Sequence, residues 1–293
     1  MDAKGHQPHL DGVTHRWVDL PGLRMHVAEA GTGPPVLLLH GWPQHWWEWR
    51  HVMGPLARTH HVIAPDLRGA GWSTTLQGPH RMSLQQLVDD VLALLDALGL
   101  ETIDLVAHDY SAFTAYRLCF DHPTRVRRLL CLGPHPYLRF HPALVATLAP
   151  LWFMPVVATP GLGRWALSRD WLPRYVLTSF APPGRTMPEE DVRIFLDRIH
   201  AEDHPASGSA LYRTVILPEA RRLMAGAYRG RRLGVPTRAL LGALEPGYTQ
   251  ERLAPPDGVA DDLSLELVPG ARHYLADERP DVVVERAQEL FAH

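Results

Sequence analysis

The sequence is short of lysine, of cysteine and of long apolar runs. Only Lys4 is a lysine among the 29 basic residues, and the formal net charge is -3. Because nucleic acids and anionic membrane surfaces bind to basic patches, the interspersed charges argue against both as partners. The two cysteines, Cys119 and Cys131, fall in a predicted helix and a predicted buried strand. A thiol there packs as a small apolar group, so no disulfide framework is expected.

The chain also lacks targeting and membrane-spanning features. Residues 1–11 contain no apolar segment of the signal-peptide type, which indicates a cytoplasmic location. The most apolar stretch, residues 143–157, is interrupted by Pro150 and Pro155 and is too short to cross a bilayer. Membrane insertion is therefore not expected. The 18 histidines include no pair with zincin spacing on a predicted helix, so no metal site is expected either.

Six apolar runs have the pattern of strands that are buried on both faces of a sheet. They cover residues 36–39, 61–65, 102–107, 126–132, 236–243 and 263–268. Helical patterns separate the first four runs, as at residues 84–98, where Ser83 is the predicted N-cap and Gly99 the predicted end. This alternation predicts an α/β fold with a doubly wound, mostly parallel sheet, whose ligands bind at the carboxyl ends of the strands.

The alternation stops in the middle of the chain. Between residues 137 and 230 the sequence becomes aromatic, helical and punctuated by proline, and a closing helix is predicted over 280–292. At 293 residues and 46% hydrophobic, the chain is long enough for one large domain with an insertion. We therefore predict a core domain over 1–136 and 231–293, and a helical cap domain over 137–230.

Asp109 comes after the third apolar run, separated from it only by His108, and has small neighbours two residues away on each side. In the G-x-S-x-G nucleophile elbow, small flanking residues permit a strained turn that exposes the reactive side chain. Ala107 and Ser111 occupy the glycine positions here, and Asp109 occupies the serine position. The alternative is a helix N-cap, because an Asp before a helix often accepts a hydrogen bond from its first turn.

A carboxylate nucleophile requires partners at other strand ends. Its attack on carbon leaves an ester, which an activated water must then hydrolyse. His273, in the loop after the last apolar run, is the candidate to activate that water. Glu245, after the preceding run, is the candidate to orient His273 and to stabilise its charged form. The order nucleophile, acid, histidine is that of hydrolases with such an elbow, and the amides of Tyr110 and Trp42 are the candidate oxyanion hole.

The chain resembles α/β-hydrolases of the epoxide hydrolase and haloalkane dehalogenase group over nearly its whole length. The resemblance is carried by His40-Gly41-Trp42-Pro43-Gln44 with Trp46-Trp47-Glu48-Trp49-Arg50, Asp66-Leu67-Arg68-Gly69, His108-Asp109, Pro134-His135-Pro136 and Gly270-Ala271-Arg272-His273. The first motif is similar to the His-Gly-x-Pro motif of epoxide hydrolases. The resemblance implies an α/β-hydrolase fold with an inserted cap and a hydrolase that needs no cofactor.

In epoxide hydrolases two cap tyrosines protonate the oxygen of the opening ring. Tyr212-Arg213 resembles the second Tyr-Arg pair, so the resemblance makes Tyr212 the candidate acid; the alternative is an amphipathic residue that lines an apolar cap. The first tyrosine ordinarily lies in a Trp-Tyr segment, where this chain has Trp152-Phe153. Phe153 cannot donate a proton, so one donor is missing under this alignment.

The pocket is expected to hold a small, neutral, hydrophobic substrate together with water, in a monomer or a homodimer. Its predicted lining residues are Phe153, Trp152, His108 and Pro43. A water, Tyr137 or Tyr175 is an alternative to the missing donor and could assist Tyr212. Tyr110 and Ser111 are expected to add a phenol and a hydroxyl beside the attack site.

The favoured prediction is an epoxide hydrolase that forms a vicinal diol through an ester on Asp109. A haloalkane dehalogenase is an alternative, but that family commonly has a halide-binding tryptophan where this chain has Tyr110. Fluoroacetate dehalogenases use arginines after the nucleophile, and none follows here, which favours a neutral substrate. The third alternative is a ligand-binding protein that keeps the fold without turnover. The presence of Glu245 and His273 beside Asp109 argues against it.

Overall fold

The computed structural model describes residues 7–76, 82–138, 149–201 and 203–292. Nine strands in these ranges form one sheet. They are β1 Val13–Leu20, β2 Leu23–Ala30, β3 Pro35–Leu39, β4 His61–Pro65, β5 Thr74–Thr75, β6 Ile103–His108, β7 Val126–Leu132, β8 Thr237–Gly242 and β9 Leu263–Val268. Residues 143–148, part of the apolar stretch at 143–157, lie outside the described residues.

The strand order is β1-β2-β4-β3-β6-β7-β8-β9, and β5 pairs with β2. β2 is antiparallel to β1, β4 and β5, whereas all pairs from β4 to β9 are parallel. The predicted doubly wound, mostly parallel sheet is therefore confirmed. The chain reverses its direction across the sheet between β3 and β6. Their carboxyl ends are adjacent there, at the switch point where ligands bind in such sheets.

Helices cover both faces of the sheet. The core helices are α1 Arg50–Leu56, α2 Leu84–Ala97, α3 Ser111–Asp121, α10 Gln250–Leu253, α11 Leu275–Glu278 and α12 Pro280–Phe291. Side chains alternate across β3, so that Leu37 and Leu39 pack in the apolar cluster with α2 while Val36 and Leu38 pack in the cluster with α12. The predicted start of α2 is also confirmed, because Ser83 accepts a hydrogen bond from the first turn.

A helical cap is inserted between β7 and β8. Its helices are α4 Phe153–Ala158, α5 Leu162–Leu167, α6 Trp171–Ser179, α7 Glu189–Ile199, α8 His204–Leu211 and α9 Leu217–Met224. Buried polar contacts join it to the core: Asp191 of α7 lies 2.8 Å from the Arg50 guanidinium and accepts a hydrogen bond of 2.7 Å from the Trp47 indole. No helix in the described ranges has both the length and the apolar character to cross a membrane.

Candidate active site

Asp109 occupies a sharp turn between β6 and α3. Its φ angle is 54°, the only positive value for a non-glycine residue in the described ranges. The left-handed conformation costs roughly 1–3 kcal/mol for such a residue. Gly41 lies so close that a Cβ atom there would be 2.8 Å from the Asp109 Cβ. The turn is therefore a strained elbow that depends on a glycine in the neighbouring loop.

The Asp109 carboxylate points away from the helix that follows it. Its Oδ2 accepts a hydrogen bond of 3.0 Å from the amide of Trp42, in the loop after β3. Only the backbone carbonyl of Asp109 bonds to the start of α3, through the amide of Ala112. The geometry therefore favours the elbow over the N-cap, and it directs a predicted oxyanion-hole amide at the predicted nucleophile.

The neighbours of Asp109 do not lie beside the attack site, contrary to expectation. The Ser111 hydroxyl oxygen lies 2.8 Å from the Leu39 carbonyl oxygen and 2.7 Å from that of His108, and it accepts a bond from the His108 amide. It thus ties the elbow to β3 and β6. The Tyr110 ring is buried beneath the elbow, edge-on to His40, because successive residues at a helix start point in different directions.

A cavity of about 240 Å³ opens above Asp109 and is lined mainly by apolar side chains. Six of the predicted site residues line it: Asp109, Trp42, Phe153, Tyr212, His273 and Glu245. Three predicted pocket residues do not line it, namely Trp152, His108 and Pro43. Trp152 is 45% exposed and stacks on Trp171 on the outside of the cap. Adjacent helical residues differ by about 100° in direction, so Phe153 faces inward and Trp152 outward.

Tyr212 lies on the cap side of the cavity, with its ring edge-on to Trp42 at a centroid distance of 4.8 Å. It begins a π-helical turn, Tyr212–Ile216, that joins α8 to α9. Such turns are rare and frequent at functional sites. Burial, and then the charge of Asp109, raise the pKa of Tyr212 well above its usual value. The phenol therefore keeps its proton at all ordinary pH values, which is the protonation state that a general acid needs.

The other candidate phenols are engaged elsewhere. The Tyr137 hydroxyl lies within 2.8 Å of the carbonyl oxygens of Arg231 and Val259, and the Tyr175 hydroxyl donates to the Pro150 carbonyl. Neither ring lines the cavity. Phe153 lies next to Tyr212, at a centroid distance of 5.9 Å. The position beside the candidate acid is therefore occupied by a ring without a hydroxyl.

His273 lies in the loop between β9 and α11. Burial, and then the positive charge of His108, lower the pKa of His273 below its usual range. A neutral imidazole is able to accept a proton from water. The ring of His273 packs against that of Phe180, on the cap, at a centroid distance of 5.8 Å.

Glu245 lies at the carboxyl end of β8, as predicted, but it contacts a different partner. Its Oε2 lies 3.7 Å from Nε of Arg272, and no hydrogen bond joins it to His273 among the described residues. Burial raises the pKa of Glu245, and the Arg272 charge opposes that effect. The sequence interpretation overlooked Arg272, a cation placed directly before the candidate histidine. Its contact with Glu245 depends on two strand ends meeting.

The family model of the alpha/beta hydrolase fold matches residues 34–203, which is more than half of the chain. The chain belongs to this family. The soluble epoxide hydrolase of Corynebacterium sp. (strain C12) is 29% identical, over 96% of this chain and 98% of that protein. Epoxide hydrolase 2 of Siraitia grosvenorii is 39% identical, but the match spans only 46% of this chain and 43% of that protein.

Solved structures show the same relationship. Epoxide hydrolase CorEH without ligand has a TM-score of 0.79 and 28% identity, and the match covers 96% of this chain and 99% of that one. Epoxide hydrolase VrEH1 from Vigna radiata has a TM-score of 0.77 and 26% identity, over 96% and 99% of the two chains. With the family assignment, these similarities identify the protein as a hydrolase.

Proposed function

We propose that this α/β-hydrolase opens a small, neutral, hydrophobic epoxide to a vicinal diol. The observation that carries the proposal is the pairing of a carboxylate on the elbow with a protonated phenol across an apolar cavity. Asp109 is held by the Trp42 amide, and the Tyr212 phenol keeps its proton close enough for the Asp109 charge to raise its pKa. Similarity to epoxide hydrolases along almost the full chain supports the same reaction.

In the first step a carboxylate oxygen of Asp109 attacks an epoxide carbon, and the bond from that carbon to the ring oxygen breaks. Tyr212 donates its proton to the departing oxygen. The products are a hydroxyalkyl ester on Asp109 and a Tyr212 phenolate. The ester removes the negative charge from the carboxylate, so the phenolate forms without a neighbouring anion.

In the second step His273 takes a proton from water, and the water oxygen attacks the ester carbonyl carbon. The amides of Trp42 and Tyr110 stabilise the resulting oxyanion. The bond to the alkyl oxygen then breaks, and the carboxylic acid proton passes to that oxygen, which releases the diol and restores the Asp109 carboxylate. The proton held by His273 returns to the Tyr212 phenolate, so that the sum is epoxide plus water to diol.

Trapping the ester tests the proposal. His273→Gln, incubated with a panel of neutral epoxides and 1-haloalkanes, is expected to accumulate an adduct of substrate mass on the Asp109 peptide, because ring opening continues while hydrolysis stops. Mass spectrometry of the digested protein is the measurement. Asp109→Asn is the matched control, since Asn also tolerates a positive φ angle but does not form the ester.

The outcome separates the alternatives. An adduct from haloalkanes alone would indicate a dehalogenase, and saturable binding without turnover of any panel member would indicate a binding protein. Turnover by the native protein without an adduct in His273→Gln would exclude the covalent mechanism.

The proposed domain division is the core over 1–136 and 231–293 with the cap over 137–230. The cytoplasmic location and the monomeric or dimeric state stay predictions.

A further inference from the structure

A fully buried ion pair lies directly beneath the candidate active site. The Oε1 of Glu48 lies 2.8 Å from Nδ1 of His108, and the two side chains are 0% and 2% exposed. Glu48 belongs to the helical turn Trp46–Trp49, and His108 is the last residue of β6. Neither side chain lines the cavity. A charge pair in such a position is costly to desolvate, so its retention calls for a role.

Both ring nitrogens of His108 lie within 3.0 Å of an oxygen atom. Nδ1 faces the Glu48 carboxylate, and Nε2 lies 3.0 Å from the backbone carbonyl oxygen of His273. A neutral imidazole has only one N–H and would leave one of these acceptors facing a lone pair. The surroundings therefore favour the doubly protonated, cationic form of His108.

The pair contacts three of the loops that carry the candidate site. The Oε2 of Glu48 accepts a hydrogen bond of 2.8 Å from the amide of Gly41, the residue before Trp42. His108 directly precedes Asp109 in the chain. The contact of His108 with the His273 carbonyl reaches the third loop. No other contact described above joins the oxyanion loop, the elbow and the histidine loop through a single pair of side chains.

We propose that Glu48 and His108 are positioning residues. Their ion pair fixes the relative positions of the oxyanion amide, the nucleophile and the water-activating histidine. The charge state of the pair is a property of the folded protein and does not depend on the substrate. Its effect on turnover rests on the proposed function. The two parts are therefore tested by separate measurements.

The electrostatics agree with this role. Burial lowers the pKa of His108, but the Glu48 carboxylate, the Asp109 charge and the His273 carbonyl together outweigh burial and raise that pKa to about 9. The groups that face His108 are Glu48, Asp109, the imidazole of His273 and, at longer range, Glu278. Since the folded pKa lies above the ordinary value, the cation is present below pH about 9 and is lost as the pH rises through that value.

Histidine NMR of the isotope-labelled protein, without substrate, tests the charge state. We expect His108 to be doubly protonated at neutral pH, and in Glu48→Gln we expect its pKa to fall by at least about one unit, because the opposing charge is gone. The resonance is assigned by its absence in His108→Gln. A neutral His108 in the native protein at neutral pH would overturn the proposal, whatever the enzyme's activity.

The pH profile of turnover tests positioning. In Glu48→Gln we expect kcat to fall at neutral and alkaline pH, its alkaline limb to move down by at least about one pH unit, and KM to stay unchanged. The retained side-chain oxygen still accepts the Gly41 hydrogen bond. Glu48→Asp keeps the charge and is expected to keep the position of the limb, which also provides a second variant if Glu48→Gln folds poorly.

Asp90→Asn is the matched control. Asp90 forms an ion pair with Arg68 in which both side chains are 3% exposed, outside the cavity. We expect this variant to lose stability in thermal unfolding without a shift of the alkaline limb. If Glu48→Gln behaves as Asp90→Asn does, with lower stability but an unshifted limb and an unchanged kcat, the pair is only structural and the positioning role is wrong.

Discussion

The two sides of the cavity differ in how they are held. On the core side, polar contacts hold the elbow: the Trp42 amide donates to Asp109, and the Ser111 hydroxyl bonds to the Leu39 carbonyl. On the cap side the contacts are mostly between aromatic rings, and Tyr212 is held by Trp42 and Phe153. The difference suggests a division of labour. Under the proposed mechanism, the core has the groups for ester hydrolysis, whereas ring opening depends on the Tyr212 phenol of the cap.

Tyr212→Phe should break this comparison most strongly. The change removes the O–H and keeps the ring, so we expect ring opening to slow about 10²- to 10⁴-fold, which is the usual contribution of a general acid. The measurement is the rate of ester formation in a single turnover. Tyr175→Phe is the matched control, because its hydroxyl donates to a backbone carbonyl away from the cavity. Equal losses in the two variants would contradict the assignment of Tyr212.

Phe153→Tyr should sharpen the comparison by adding the missing phenol to the cap. Phe153 lines the cavity beside Tyr212. We expect ester formation to accelerate by roughly tenfold, less than the full contribution of a general acid because one donor is already present. Hydrolysis of the ester should not change, since it depends on the core. An acceleration of hydrolysis without one of ester formation would contradict the division of labour.

Trp152→Ala should have the smallest effect. The side chain is half exposed on the outside of the cap and does not line the cavity. We expect kcat and KM to stay within about twofold of the native values. The free energy of unfolding should change by less than about 0.5 kcal/mol, as is usual for a surface substitution. Steady-state kinetics and thermal unfolding are the measurements. A large rise in KM would show that Trp152 contacts the substrate after all.

The strands were predictable because parallel strands buried on both faces appear in the sequence as continuous apolar runs. The runs at 61–65, 126–132 and 263–268 coincide with β4, β7 and β9. The strand β5 was not predicted, since two residues carry no periodicity. The direction of individual side chains was predicted less well. Trp152 and Phe153 are adjacent aromatic residues, and only the local helix decides which of the two faces the cavity.

The sequence by itself determined the order of the strands along the chain, the family and the placement of Asp109, His273 and Glu245 at strand ends. The strand order and the strand ends follow from apolar runs and turn residues, and the family resemblance follows from short motifs such as His40-Gly41-Trp42-Pro43. All of these are local in the chain. The tertiary structure alone decided which charged groups meet. Glu48 and His108 are buried together although 60 residues separate them, and Glu245 contacts Arg272. Such pairings depend on the arrangement of strands in the sheet, and no local pattern records them.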